Sequence, residues 1–169
     1  IVLLCDISGS MERYSRMLVH FMHAFSHDMG NVETFVFGTR LTRITHHLRF
    51  KDVDVALDEV SAAVKDWSGG TKIGEAIKTF NYRWARRVLG RGAVVIVISD
   101  GLDRGDVDEL RREMGRLQRS SHRLIWLNPL LGMRGYEPIQ RGMAAALPHV
   151  DDFLTVHNLE SIAQLAEVL

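Results

Sequence analysis

The sequence predicts an α/β domain: a doubly wound open sheet, mostly parallel, with one antiparallel edge strand and helices on both faces. Three observations predict it. Short β-rich runs alternate along the chain with longer amphipathic stretches. The run Ala93-Val-Val-Ile-Val-Ile98 is apolar at every position, as a strand covered on both faces requires. One pair of β-rich runs is separated only by Gly38-Thr39-Arg40, a hairpin spacing that supplies the antiparallel edge.

The elements follow in order. Ile1 to Cys5 is a buried strand ending at Asp6. Met11 to Asp28 carries Met17, Leu18, Phe21, Met22 and Phe25 at helical spacing. Val32 to Phe37 and Leu41 to Leu48 are the hairpin strands. Val53 to Lys65 is a helix capped by Asp52, and Trp67 to Thr71 is a loop. The next helix runs from Ile73 to Leu89, ahead of the Ala93–Ile98 strand. Asp106 with Glu109 opens a helix to Ser120, whose core stripe is Leu110, Met114 and Leu117. Leu124 to Leu127 and Phe153 to Val156 are two more strands, with a short helix near Gln140 to Ala146 between them. Asn158 caps a final helix to Val168. The expected strand order is 3-2-1-4-5-6, which puts the first and fourth strands side by side where the order reverses.

Residues 1–169 are about one domain long, with no repeat or low-complexity linker. The chain opens on Ile1 inside an apolar run, which reads as the C-terminal part of a longer protein. Lys plus Arg and Asp plus Glu number 21 each, so the formal charge is zero, which argues against a surface devoted wholly to nucleic acid. The Ala93–Ile98 run falls far short of the ~20 apolar residues that span a membrane. A single cysteine, Cys5, excludes an internal disulfide and fits a reducing compartment; the domain is expected in the cytoplasm.

Three polar clusters fall where apolar elements begin and end. They are Asp6-Ile-Ser8-Gly-Ser10 after the first strand, Ser68-Gly-Gly-Thr71 before a helix, and Ser99-Asp100-Gly101 after the most hydrophobic strand. Their shared chemistry is hard oxygen, two carboxylates and three hydroxyls, which suits Mg²⁺ or Mn²⁺ and not Zn²⁺. With only Asp6 and Asp100 charged, a divalent ion there keeps room for one more carboxylate, supplied by a partner. Ser99 and Gly101 read as turn formers, and Asp103 as an exposed loop acid.

In this order, Asp6-x-Ser8-x-Ser10, Thr71 and Asp100 resemble the metal-ion-dependent adhesion site of von Willebrand factor A domains. The resemblance covers essentially the whole chain and implies a Rossmann-like fold with Asp6, Ser8, Ser10, Thr71 and Asp100 around the metal. More narrowly, Asp6-Ile-Ser-Gly-Ser-Met, Phe35-Val-Phe-Gly-Thr-Arg-Leu, Gly69-Gly-Thr-Lys-Ile-Gly and Ile98-Ser-Asp-Gly are similar to the CoxE-like branch. So are Trp126-Leu-Asn-Pro-Leu, Gly142-Met and His157-Asn-Leu. That branch implies an adaptor rather than an enzyme. It works beside a MoxR-type AAA+ ATPase in maturing or remodelling a client metalloenzyme such as carbon monoxide dehydrogenase.

The competing reading is a Mg²⁺-dependent hydrolase or phosphotransferase in the same cleft. Phosphatases of the haloacid dehalogenase type place a second Asp, the general acid, two residues after the nucleophilic one; here that position is Ser8. There is no Walker A motif and no strand–GxGxxG–helix fingerprint. His20, His23 and His27 share helical spacing but lack a Cys or carboxylate partner, and read as partly exposed polar residues. His46 and His47 face opposite sides of a strand. Arginines cluster at Arg83, Arg86, Arg87 and Arg91, and again at Arg111, Arg112, Arg116, Arg119 and Arg123. They read first as solvated faces complementing helix C-termini, and second as a surface for an acidic partner. Nucleic acid is not expected, since Trp84 is the one aromatic interleaved there. Asp6, Asp100, Asp103, Asp106 and Asp108 are expected at the carboxyl edge of the sheet, and much of the arginine at the opposite end.

Overall fold

The computed structural model describes residues 1–64, 70–131, 133 and 135–156. The final helix expected after Asn158, the end of the helix at Lys65, and Trp67, Ser68 and Gly69 of the loop lie outside the described residues.

Six strands form one sheet: β1 (Val2–Asp6), β2 (Glu33–Phe37), β3 (Leu41–Arg43), β4 (Val94–Ile98), β5 (Arg123–Asn128) and β6 (Asp152–Thr155). Their order is β3-β2-β1-β4-β5-β6, with β3 antiparallel to β2 and every other pair parallel. The doubly wound sheet and its antiparallel edge are those the hydrophobic pattern predicts. Alternation along each strand divides the core into two layers. Leu3, Cys5, Ile96, Ile98, Ile125 and Leu127 face α1 (Ser15–Asp28) and α2 (Val53–Ala63). Val2, Leu4, Val95, Val97, Leu124 and Trp126 face α3 (Ile73–Arg83), α4 (Ala85–Val88), α5 (Val107–Ser120) and α6 (Arg141–Ala146). Cys5 is fully buried, and burial pushes its thiol far above the usual range.

Three expected elements are shorter than the apolar pattern suggests. The Met11–Asp28 stretch opens with a tight 3₁₀ segment, Gly9–Tyr14, before α1 begins at Ser15. Met11 N donates to Ser8 O at 2.9 Å, an i→i+3 bond that draws the segment tightly around Gly9 and Ser10. The second hairpin strand stops at Arg43. Beyond it Thr34 N donates to Thr45 Oγ1 at 2.9 Å, so a hydroxyl replaces a ladder carbonyl and the chain leaves the edge. His46 therefore lies in a turn and His47 opens a short 3₁₀ helix, His47–Arg49, and neither is in a strand. The long third helix breaks at Trp84, whose ring packs edge-on against Phe35 with centroids 5.3 Å apart.

The caps follow the sequence in part. Asp52 accepts from Asp54 N and Val55 N. Asp106 accepts from Asp108 N and Glu109 N, while the Glu109 side chain pairs with Lys78 at 2.6 Å instead of turning back on the cap.

Candidate metal centre

β1 and β4 are adjacent, and both end at the same edge of the sheet. Each runs straight from buried apolar residues into a polar turn, which brings Asp6 and Asp100 to the switch point. Asp6 is completely buried. Its Oδ1 accepts from Ser8 N at 2.9 Å, and its Oδ2 accepts from Ser99 Oγ at 2.6 Å. Burial pushes its carboxyl up from 3.8 to about 6, against the opposing hydrogen bonds from Ser8 and Ser99; the charge of Asp100 adds to the rise. Asp100 is also buried; its Oδ1 accepts from Leu102 N at 3.0 Å. Among the described residues, neither Asp6 nor Asp100 has a cationic side chain within ion-pair distance.

In front of them lies a cleft of about 440 Å³, lined by Ser8, Ser10, Thr71, Asp103 and Arg104 with Gly9, Gly70 and Leu102. Each buried carboxylate sits one hydrogen bond behind a lining residue, Asp6 behind Ser8 and Asp100 behind Leu102. The Ser8 and Ser10 hydroxyls are 3.3 Å apart and share one hydrogen, so lone pairs stay free toward the cleft. The structure thus gathers Ser8, Ser10 and Thr71 on one cleft, with Asp6 and Asp100 directly behind it. Among the described residues no group of three or more His, Cys, Asp or Glu is arranged to hold a metal ion. The donor set is therefore two carboxylates completed by hydroxyls. Buried negative charge without a protein cation, faced by hydroxyl oxygens, fits a hard divalent ion.

Asp103 departs from its expected role. It is half-buried, and its Oδ1 accepts from Ile73 N at 2.9 Å and Gly105 N at 3.1 Å, so the β4–α5 loop caps α3. Arg104 N donates to Thr71 O at 3.0 Å, a second tie between the same two loops. The Asp-x-Gly spacing of Asp103 and Gly105 signals the turn, but nothing local signals a cap on a helix thirty residues earlier. Ser99 is a turn former as expected, its Oγ accepting from Gly101 N at 3.0 Å; its additional contact is the bond to Asp6. Trp126 Nε1 donates to Ser99 O at 2.9 Å, and Asn128 and Tyr136 bond the carbonyl of Asp100. From the other side α6 presses on this loop. A Cβ on Gly142 would lie 2.5 Å from Gly101 O, and one on Gly101 (φ +80°) 2.7 Å from Met143 Sδ.

The other candidates have structural partners. His23 is 2.7 Å from Phe50 O, His27 is 2.9 Å from His23 O, and their ring centroids lie 4.4 Å apart with the planes tilted by 36°. The acidic edge is not wholly acidic either, since Arg104 lines the cleft.

A mostly parallel sheet of this order with an Asp-x-Ser-x-Ser turn, a threonine loop and a second aspartate at its switch point defines a von Willebrand factor A-type domain. A sequence profile of the family described as "VWA domain containing CoxE-like protein" matches residues 1–162, and the chain belongs to that family. Among solved structures, it is similar to an aerotolerance-related membrane protein from Bacteroides fragilis, with 18% identity, a TM-score of 0.58, and 98% of this chain and 94% of that one covered. It is similar to BatB from Bacteroides thetaiotaomicron at 17% identity and a TM-score of 0.56, with 98% of each chain covered. A third similar structure is proximal thread matrix protein 1 of the mussel byssus with a zinc-occupied MIDAS motif. It shows 13% identity and a TM-score of 0.61, with 99% of this chain and 46% of that one covered. Comparison with curated proteins finds no match. Among the described residues no helix is long and apolar enough to cross a membrane.

Proposed function

We propose that this chain binds a divalent cation, Mg²⁺ or Mn²⁺, through Asp6, Ser8, Ser10, Thr71 and Asp100, and through it a carboxylate of a protein partner. The observation that carries the reading is the pair of buried carboxylates, without a protein counter-ion, behind a hydroxyl-lined cleft. The zinc-occupied MIDAS motif of the mussel protein supports it as an instance of this fold holding a divalent metal. A cation held there supplies a Lewis-acidic position for one more carboxylate oxygen. Asp6 and Asp100 supply the charge, and Ser8, Ser10 and Thr71 supply neutral oxygens. The backbone ties to Asp103 and Arg104 keep the Thr71 loop against the Asp100 loop.

In this reading the domain is a cytoplasmic adaptor. Its CoxE-like family supports a partnership with a MoxR-type AAA+ ATPase and a client metalloenzyme. It is not catalytic, because Ser8 stands where a phosphatase of comparable layout needs an acid.

Titration calorimetry with Mg²⁺, followed by pull-down of the ATPase and the client, tests it. Asp6→Ala and EDTA should each abolish capture while far-ultraviolet circular dichroism stays unchanged. Capture that survives both would remove the metal from the docking point. Mg²⁺-dependent turnover of a phosphomonoester panel, lost in Asp6→Ala, would replace the adaptor with a hydrolase.

A further inference from the structure

Two of the arginines at the far ends of the helices, Arg86 and Arg116, line one concave surface. α5 is fourteen residues long and leads away from the Asp100 loop, so its last residue lies about 20 Å from its first. There α3, α4 and α5 enclose a groove of about 450 Å³ whose lining includes Asn81, Tyr82, Arg86, Arg116 and Ser120. Tyr82 is 60% exposed, and the Arg116 guanidinium lies 4.6 Å from its ring centroid. Asn81 Nδ2 is committed to Glu113, while its buried Oδ1 receives no hydrogen bond.

Charge is unbalanced at this end. Several arginines elsewhere are paired, as in Arg43 with Glu33, Arg111 with Asp108 and Arg123 with Asp152. Among the described residues Arg83, Arg86 and Arg119 have no carboxylate partner, and Arg87 meets only the Trp84 ring. Glu113 is buried and already faces Arg112 and Arg116. Favourable placement at helix C-termini accounts for cations on a convex face. It does not account for an exposed tyrosine and the unpaired Arg86 guanidinium beside Arg116 in one concavity.

We propose that the α3–α5 groove binds an acidic, extended peptide segment of a partner protein, with Arg86 and Arg116 taking its carboxylates and Tyr82 packing along its chain. The planar guanidinium fork matches a carboxylate in two parallel hydrogen bonds. A backbone laid in the groove brings N–H donors toward the wall that carries Asn81. A nucleic acid fits less well, since Tyr82 is the one aromatic lining the groove and successive bases need several stacking surfaces. The inference goes beyond the metal reading and stands without it.

The test uses the whole chain in EDTA, so that the metal centre cannot hold the probe. A fluorescein-labelled oligoglutamate peptide is titrated by anisotropy at physiological ionic strength, beside an oligothymidylate of matched length. Arg86→Glu should bind the peptide at least about tenfold more weakly, Tyr82→Ala measurably more weakly, and Arg49→Glu, outside the groove, like the wild type. Melting temperatures of the variants verify that each is folded. No saturable peptide binding, equal binding by Arg86→Glu and Arg49→Glu, or tighter Arg86-dependent binding of the oligothymidylate would overturn the proposal. Loss in Arg86→Glu but not in Asp6→Ala separates this surface from the metal centre.

Discussion

Replacing Asp6 by Asn should stabilise the metal-free protein, although Asp6 makes two good hydrogen bonds. The reason is the sign of its displaced titration. The folded-state value of about 6 lies above the ordinary 3.8, so the fold binds a proton more tightly than the unfolded chain does. The penalty for ionising Asp6 is absent below about 3.8, grows as pH rises, and is complete above about 6. At about 1.4 kcal/mol per pH unit it reaches about 3 kcal/mol at neutral pH, and about half of that at pH 5. An asparagine removes the charge and keeps its oxygen for Ser8 N. It turns an N–H toward Ser99 Oγ, which now donates to the carboxylate, so some of the gain is lost. A net gain of about 2 kcal/mol should raise the melting temperature by about 5 °C for a chain of this length.

Thermal unfolding with EDTA and with saturating Mg²⁺ checks this. In EDTA at neutral pH Asp6→Asn should melt above the wild type, and the gap should narrow by about half at pH 5. At a hundredfold excess of Mg²⁺ over its Kd, the wild type gains about 2.7 kcal/mol and the variant gains nothing, so the order closes or inverts. If Asp6→Asn melts below the wild type in EDTA at neutral pH, the carboxylate is a structural acceptor and not a charge held for a cation. A gap unchanged by Mg²⁺ refutes metal binding at this residue.

Thr71→Ala removes a cleft hydroxyl but keeps the backbone carbonyl that receives Arg104 N, so Mg²⁺ affinity by calorimetry should fall about tenfold with an unchanged melting temperature. Gly142→Ala sets a Cβ 2.5 Å from Gly101 O and 2.9 Å from Asp103 Cβ. Urea unfolding should report a loss of about 1–3 kcal/mol, and the displaced loop should bind Mg²⁺ more weakly. Asp103→Ala removes the cap on Ile73 N and should cost about 1 kcal/mol in urea, whereas Asp103→Asn keeps an acceptor and should cost less.

The sheet was legible because burial on both faces leaves a strong mark. The Ala93–Ile98 run and the strands around it can satisfy their hydrophobic surface only in the middle of a layered fold. The polar turns at Asp6 and Asp100 were legible because hard-oxygen residues interrupt those runs abruptly. Boundaries set by side chains from elsewhere were not legible. Nothing between Leu41 and Leu48 announces that Thr45 will take the place of a carbonyl for Thr34 N, and only pairing with β2 ends the strand at Arg43. Asp103 was misread for the same reason. Its partner, Ile73 N, is remote in sequence, and an acid in a Gly-rich loop looks exposed until the loops are docked. The arginine asymmetry was visible as clusters, but the groove beneath it exists only after α3 and α5 pack with Asn81 against Glu113.

The location of the metal centre follows from what a buried, uncompensated carboxylate costs. A group that opposes folding by about 3 kcal/mol is tolerated only where its surroundings cannot relax around it. β1 is such a place. It is paired on both sides by parallel strands, every one of its residues is buried, and its last residue hands directly to the turn that holds Ser8 and Ser10. On the far side Ser99 fixes the second oxygen of Asp6, and Trp126, Asn128 and Tyr136 fix the carbonyls of the Ser99–Asp100 turn. The rigidity that keeps Asp6 from swinging to water is the rigidity that presents it to a cation. Ser99→Ala loosens that frame and removes a hydrogen bond that favours the charged carboxylate, so the pKa of Asp6 should rise further while Mg²⁺ affinity falls. A pKa that falls toward 3.8 in Ser99→Ala would refute the assignment of Ser99 to stabilising the carboxylate charge.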